Sequence, residues 1–174
     1  MRKIIIILAG ILLLYIGNPN PTQAQVEKVE IRVDGLACPF CAYGLEKKLK
    51  DLKGVRNVKI NVKDGRAALQ NDAKQSIGVE KLESVVKNAG FTPREISLTV
   101  VGNVEQSNGS PVFSVTGSGV EFIFKKDDEL QKLQSKLGGS RKPVRITGRL
   151  VHETPAGHHA HPFTLIIEKF EVLR

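Results

Sequence analysis

Tryptophan is absent from this chain, and methionine occurs once, as Met1. Thioether and indole groups are therefore missing from the body of the protein, so a site for a soft metal has to be built from thiols and imidazoles. Thiols are scarce as well: Cys38 and Cys41 are the only cysteines, and His152, His158, His159 and His161 are the only histidines. Zinc in a structural site takes four ligands, usually with more cysteine or histidine close by, and the surroundings of Cys38 do not supply them. Nothing in the chain forms a Ser/His/Asp triad, a glycine-rich phosphate loop or a pair of catalytic carboxylates. The expectation is a binding protein and not an enzyme.

Long apolar runs are also missing, with one exception. Ile4 to Ile16 is uninterrupted, follows Arg2 and Lys3, and is followed by Asn18-Pro19-Asn20-Pro21 and then Thr22-Gln23-Ala24. About 13 residues at 1.5 Å rise give roughly 20 Å of helix, short of the roughly 30 Å hydrocarbon core. Residues 1–24 read as an export signal cleaved after Ala24, with small residues at the −3 and −1 positions. The expected product is exported, periplasmic and without a stable membrane anchor. The net charge of +8 falls to about +6 when Arg2 and Lys3 leave with the signal. The remaining basic residues are dispersed, with Lys47, Lys48, Lys50 and Lys53 along one stretch and Arg141-Lys142 in another. They read as a solvated face, and nucleic acid is not an expected partner.

Periodicity sets the organisation. Val29, Ile31 and Val33 recur at period two, which predicts a half-buried strand. Leu45, Leu49 and Leu52 recur at helical spacing, and Gly54 is the expected helix stop. Val58, Ile60 and Val62 form a second strand, Asp64-Gly65 a hairpin turn, and Arg66 to Gln70 a third strand. Val79, Leu82, Val85 and Val86 predict a second helix, ended by Ala89-Gly90. Phe91 to Val100 is the fourth strand. The order is βαββαβ; right-handed crossovers place both helices on one face of a ferredoxin-like sheet. Residues 101–174 are expected to continue without a floppy linker. The strand through Leu98-Thr99-Val100-Val101 runs on into Gly102-Asn103-Val104 and is followed by strands at Val112–Val115 and Val120–Phe124, a helix holding Leu130, Leu133 and Leu137, and strands at Val144–Val151 and Phe163–Leu173. Three strands, a helix and two strands is the order of a small five-stranded OB barrel. Phe122 and Phe124 share a face and are expected in its core. The fold class is thus α+β: a domain over 25–100, then an OB-like β-barrel over 101–174.

Chemistry converges on Gly35-Leu36-Ala37-Cys38-Pro39-Phe40-Cys41, between a strand and a helix. Thiolates are soft ligands, and a two-residue gap lets both sulfurs reach one ion. A helix N-terminus favours the thiolate near neutral pH. Two thiolates suit linear Cu(I) first, with Hg(II) or another soft divalent ion second. The same pair can close into a disulfide in an oxidising compartment, so a periplasmic thiol–disulfide oxidoreductase is the competing reading. A third is that the barrel is a protein-interaction module and metal is incidental. His152, His158, His159 and His161 all fall between the last two strands, where imidazoles could form an auxiliary site for Cu(II), Zn(II) or Ni(II).

Residues 26–100 resemble the heavy-metal-associated domain, the module of copper chaperones, metal-pumping ATPases and the periplasmic mercury-binding protein. The loop just quoted stands where that family has Gly-Met-x-Cys-x-x-Cys. Gly54-Val55 with Val58 matches the start of its second strand, and Asn88-Ala89-Gly90-Phe91 the turn after its second helix. The resemblance implies that Cys38 and Cys41 hold the metal and that the protein is a chaperone, carrier or buffer. A metal-transporting membrane protein or another metal-binding domain would be its partner. It also implies that Leu36, in place of the usual Met, packs under the loop without binding metal. Ala37 stands where zinc-selective relatives carry an acidic residue, which points away from zinc, and Phe91 either packs on the sheet or shields the ion.

Overall fold

The computed structural model describes residues 26–72, 75–151 and 163–173. Residues 1–24, read above as an export signal, and the histidine-bearing segment 152–162 lie outside them. In chain order the elements are β1 (Val26–Asp34), α1 (Pro39–Lys50), β2 (Val55–Asn61), β3 (Arg66–Asn71), a 3-10 turn (Val79–Lys81) and α2 (Leu82–Asn88). Then follow β4 (Thr92–Ser107), β5 (Ser110–Val115), β6 (Glu121–Phe124), α3 (Asp128–Leu137), β7 (Val144–Val151) and β8 (Thr164–Val172).

The first half follows from the two hydrophobic periods. Val29, Ile31 and Val33 on β1 and Ala67 and Leu69 on β3 alternate with polar residues and are buried. Ala42, Leu45 and Leu49 put the apolar stripe of α1 on that layer. Helix α1 packs on β2 and on α2, and α2 packs on β4, so both helices share one face. The strand order β2-β3-β1-β4 with antiparallel neighbours is the ferredoxin-like sheet. One expectation changes: α1 ends at Lys50 with Asp51 as its C-cap, so Gly54 is not the helix stop. Gly54 sits at φ +83°, where a Cβ would collide with the carbonyl group of Ser76. Its role is a close backbone approach at the start of β2.

The second half is a closed five-stranded barrel, β4-β5-β6-β8-β7 and back to β4, with β6 and β8 parallel. Asp127 caps α3 by accepting the Leu130 N–H at 3.1 Å, and Gly138 ends the helix at φ +54°. Leu130, Leu133 and Leu137 are buried against the barrel. Phe113, Phe122 and Phe124 lie inside, with Phe113 and Phe124 edge to face at 5.9 Å. Phe122 and Phe124 are therefore core residues, as expected.

The halves join through β4. Its 16 residues run straight across position 100. Residues 92–100 pair with β1 along one edge, and 96–102 pair with β7 along the other. Gly102 is opposite both Val115 of β5 and Val144 of β7, so β5 takes over the β1 edge as β1 runs out. One hydrophobic cluster runs without interruption from Val26 to Ile167.

Candidate metal centre

Strand β1 delivers the chain to the cysteine loop. Its last residue, Asp34, is opposite Thr92 of β4 and accepts a hydrogen bond from Arg94 Nε at 2.7 Å. Gly35 then turns at φ +93°, with the ring of Phe91 directly beneath it. Leu36 is buried and anchors the loop from below, while Ala37 and Cys41 are exposed. This is the arrangement expected of Leu36, and it places Phe91 half-buried under the loop.

Cys38 is the N-cap of α1, in extended conformation, and its Sγ accepts the Cys41 N–H at 3.2 Å. Pro39 opens the helix, a position where its missing N–H costs nothing. The first turn carries no acidic residue, and Lys47, Lys48 and Lys50 fill the last turn. The positive end of the helix dipole is therefore not offset by a local carboxylate and is free to stabilise negative charge on sulfur. The Cα atoms of Cys38 and Cys41 are 5.4 Å apart, and the two sulfurs are joined as a disulfide. The backbone thus converges both sulfurs on one point at the protein surface. The same convergence suits a single ion between two thiolates once the bond is reduced.

Among the described residues no group of three or more His, Cys, Asp or Glu gathers to hold a metal. Two sulfur ligands suit linear coordination of a soft ion, and the described residues by themselves do not complete a tetrahedral zinc site. Asp34 is engaged by Arg94. The four histidines lie outside the described residues, but the strand ends that flank them do not. Val151 ends β7 and is opposite Thr164 at the start of β8, and Leu150 is opposite Ile96 near the start of β4. Because Thr92 at the start of β4 is opposite Asp34, these strand ends lie at the same end of the sheet as the cysteine loop.

Two neighbours of the sulfurs were not legible as site residues in the sequence. Phe40 is 90% exposed and Tyr43 70% exposed, one between the cysteines and the other three residues on. Exposed aromatic residues of this size are unusual on a surface. Their signal was available in the helical spacing, which turns both away from the stripe of Ala42, Leu45 and Leu49.

Residues 30–92 match the family model of the heavy-metal-associated domain. They are a heavy-metal-associated domain. Several solved structures are similar to this part of the chain. The N-terminal domain of a potential copper-translocating P-type ATPase from Bacillus subtilis, in its Cu(I)-loaded state, is 28% identical. The match covers 40% of this chain and 85% of that one, with a TM-score of 0.36. The CopZ metallochaperone is 20% identical over 39% of this chain and all of its own, with a TM-score of 0.36. The yeast copper transporter domain solved in apo and Cu(I)-loaded states is 21% identical, over 38% of this chain and 90% of its own, with a TM-score of 0.35. The cysteine pair of this chain falls inside the matched heavy-metal-associated domain, at the junction of its first strand and first helix.

Proposed function

We propose that this protein is an exported carrier or buffer of Cu(I), held between the thiolates of Cys38 and Cys41. The observation that carries the reading is the convergence of both sulfurs on an exposed helix N-terminus inside a heavy-metal-associated domain, with no third ligand beside them among the described residues. A two-coordinate ion at an exposed tip can be passed on by stepwise thiolate exchange. An incoming thiolate adds to the ion, one of the two cysteines leaves, and the second exchange completes the transfer. The acceptor would be a metal-transporting membrane protein or another metal-binding domain. Hg(II) satisfies the same linear geometry and is the second candidate.

Titration of reduced protein with Cu(I) against a competing chelator tests this. Tight one-to-one binding that disappears in both Cys38→Ser and Cys41→Ser is expected; unchanged affinity in either variant overturns the reading. Parallel competition with Hg(II) ranks the two metals. Export is tested by the mass of protein recovered from the periplasm, which should begin at Gln25.

The disulfide between Cys38 and Cys41 supports a second reading, a thiol–disulfide oxidoreductase. Turnover of protein disulfides by the reduced form, lost in Cys38→Ser, would promote it above the first. For the histidines, the shared sheet end supports an auxiliary Cu(II) or Zn(II) site formed by His152, His158, His159 and His161. Deletion of 152–162 should remove that metal equivalent and leave Cu(I) binding intact. The division at residues 100 and 101 and the OB arrangement of the barrel complete the proposal. Its strand order, with α3 between the third and fourth barrel strands, supports that arrangement.

A further inference from the structure

Strand β4 keeps one stretch of its edge unpaired. Residues 102–107 pair in unbroken register with β5, ending in the two-residue turn Asn108-Gly109. The Val101 carbonyl accepts the Thr116 N–H on the β5 side. Along an antiparallel strand the N–H and C=O of successive residues point to opposite edges. Residues 103, 105 and 107 therefore bond to β5, and Val104 and Gln106 direct theirs to the other edge. β7 would cover that edge, but it begins at Val144, opposite Gly102. Among the described residues no strand pairs with 103–107 on that side.

The chain itself explains the gap. Pro143 has no N–H to donate, and its carbonyl is taken by Leu173 N at 2.8 Å, which turns it toward β8. Gly138 and Gly139, both at positive φ, end α3 and turn the chain before β7 begins. Between β4 and the end of α3 this leaves a groove of about 630 Å³. Val104 and Leu137 are its apolar lining; Gln134, Ser140 and Arg141 line it from the helix side, and Glu105 from the strand. Arg141 is exposed and has no carboxylate partner among the described residues.

We infer that the groove between β4 and α3 binds an extended peptide segment of a partner protein, which adds as a strand along Val104–Gln106. The bound segment places an apolar side chain on Val104 and Leu137 and an acidic one against Arg141. Backbone pairing supplies affinity, and alternate side chains supply selectivity. The inference is independent of the metal loop, which lies at the opposite end of β4.

The test uses the full mature chain and a positional-scanning library of heptapeptides. Binders should carry β-branched residues at alternate positions and a carboxylate in phase with Arg141. The best binder should slow exchange of the Val104 and Gln106 amide protons about tenfold or more. N-methylation of the peptide amides that face β4 should abolish binding, and Gln106→Pro should weaken it about tenfold by removing one donor from the edge. Arg141→Glu should remove the preference for the carboxylate. Cys38→Ser should change none of this. If Gln106→Pro does not fold, the methylated peptides and Arg141→Glu still decide. Absence of any binder, or binding indifferent to N-methylation, overturns the inference. So does protection of the same amides by concentration-dependent self-association without peptide.

Discussion

Arg145 of β7 grips Glu27 of β1 across the intervening strand β4. Its Nε lies 3.0 Å from one carboxylate oxygen and its Nη2 3.0 Å from the other, and its Nη1 reaches Glu171 of β8 at 3.1 Å. Arg149, four residues on, bonds Glu168 of β8 and Glu95 of β4. The Arg145 fork ties β1 of the ferredoxin-like sheet to the barrel. Glu27 holds the Arg145 guanidinium above its ordinary range, mainly through the hydrogen bonds between them.

Glu27→Gln should cost about 1 kcal/mol, because both groups are about a third exposed but the geometry is bidentate. Urea unfolding followed by circular dichroism measures it. A guanidinium raised in the folded state contributes fully below its ordinary range and loses that contribution only above it. The stability difference between wild type and Arg145→Met should therefore stay constant from about pH 6 to about pH 9. A difference that shrinks across this range would mean that another titrating group controls the contact.

Gly102→Ala should open the barrel. A Cβ there would meet the Ser114 carbonyl oxygen and the Phe113 ring, and at Gly148 it would meet the Ile166 carbonyl. Gly148 also sits beside the irregularity between β7 and β8, where the barrel coils tightly. Either substitution should cost about 2–4 kcal/mol, against a smaller loss for Gly119→Ala, where the added Cβ meets nothing. Thermal melts of the three variants rank them.

Leu36→Met should preserve both stability and Cu(I) affinity, because the residue fills space under the loop and near-isosteric exchange costs less than about 1.5 kcal/mol. Leu36→Ala should cost about 2–4 kcal/mol and weaken Cu(I) binding by loosening the loop. A large gain in affinity with Met would show instead that the side chain reaches the ion.

Oxidised protein should bind no Cu(I), since the disulfide removes both thiolates, and a phosphine reductant should restore one equivalent. In the reduced form, affinity should fall as pH is lowered, because protons compete with the metal for thiolate sulfur. A pH-independent affinity would place the ion elsewhere.

The local elements were legible because each rests on short-range periodicity. The alternation in β1, the stripe of Leu45 and Leu49, and the spacing of Leu130, Leu133 and Leu137 in α3 need no partner to be recognised. Gly54 was misread for the same reason. Glycine after an apolar stripe looks like a helix stop, and only the approach of Ser76 reveals its steric task. Phe40 and Tyr43 were legible as surface positions of a helix, but their exposure beside the sulfurs needed the loop to be in place.

The sequence by itself determined the order of strands and helices, the cysteine pair at a strand–helix junction, and the absence of thioether ligands. Each depends on residue type and spacing along a few turns of chain. Tertiary structure alone decided that β4 serves two sheets at once, that Arg145 spans them, and that Val104 and Gln106 lie on an edge left unpaired among the described residues. Those relationships join residues dozens of positions apart, through strand pairing that no local pattern encodes. They also set the cysteine loop, the end of β7 and the start of β8 at one end of the sheet, with the groove at the other.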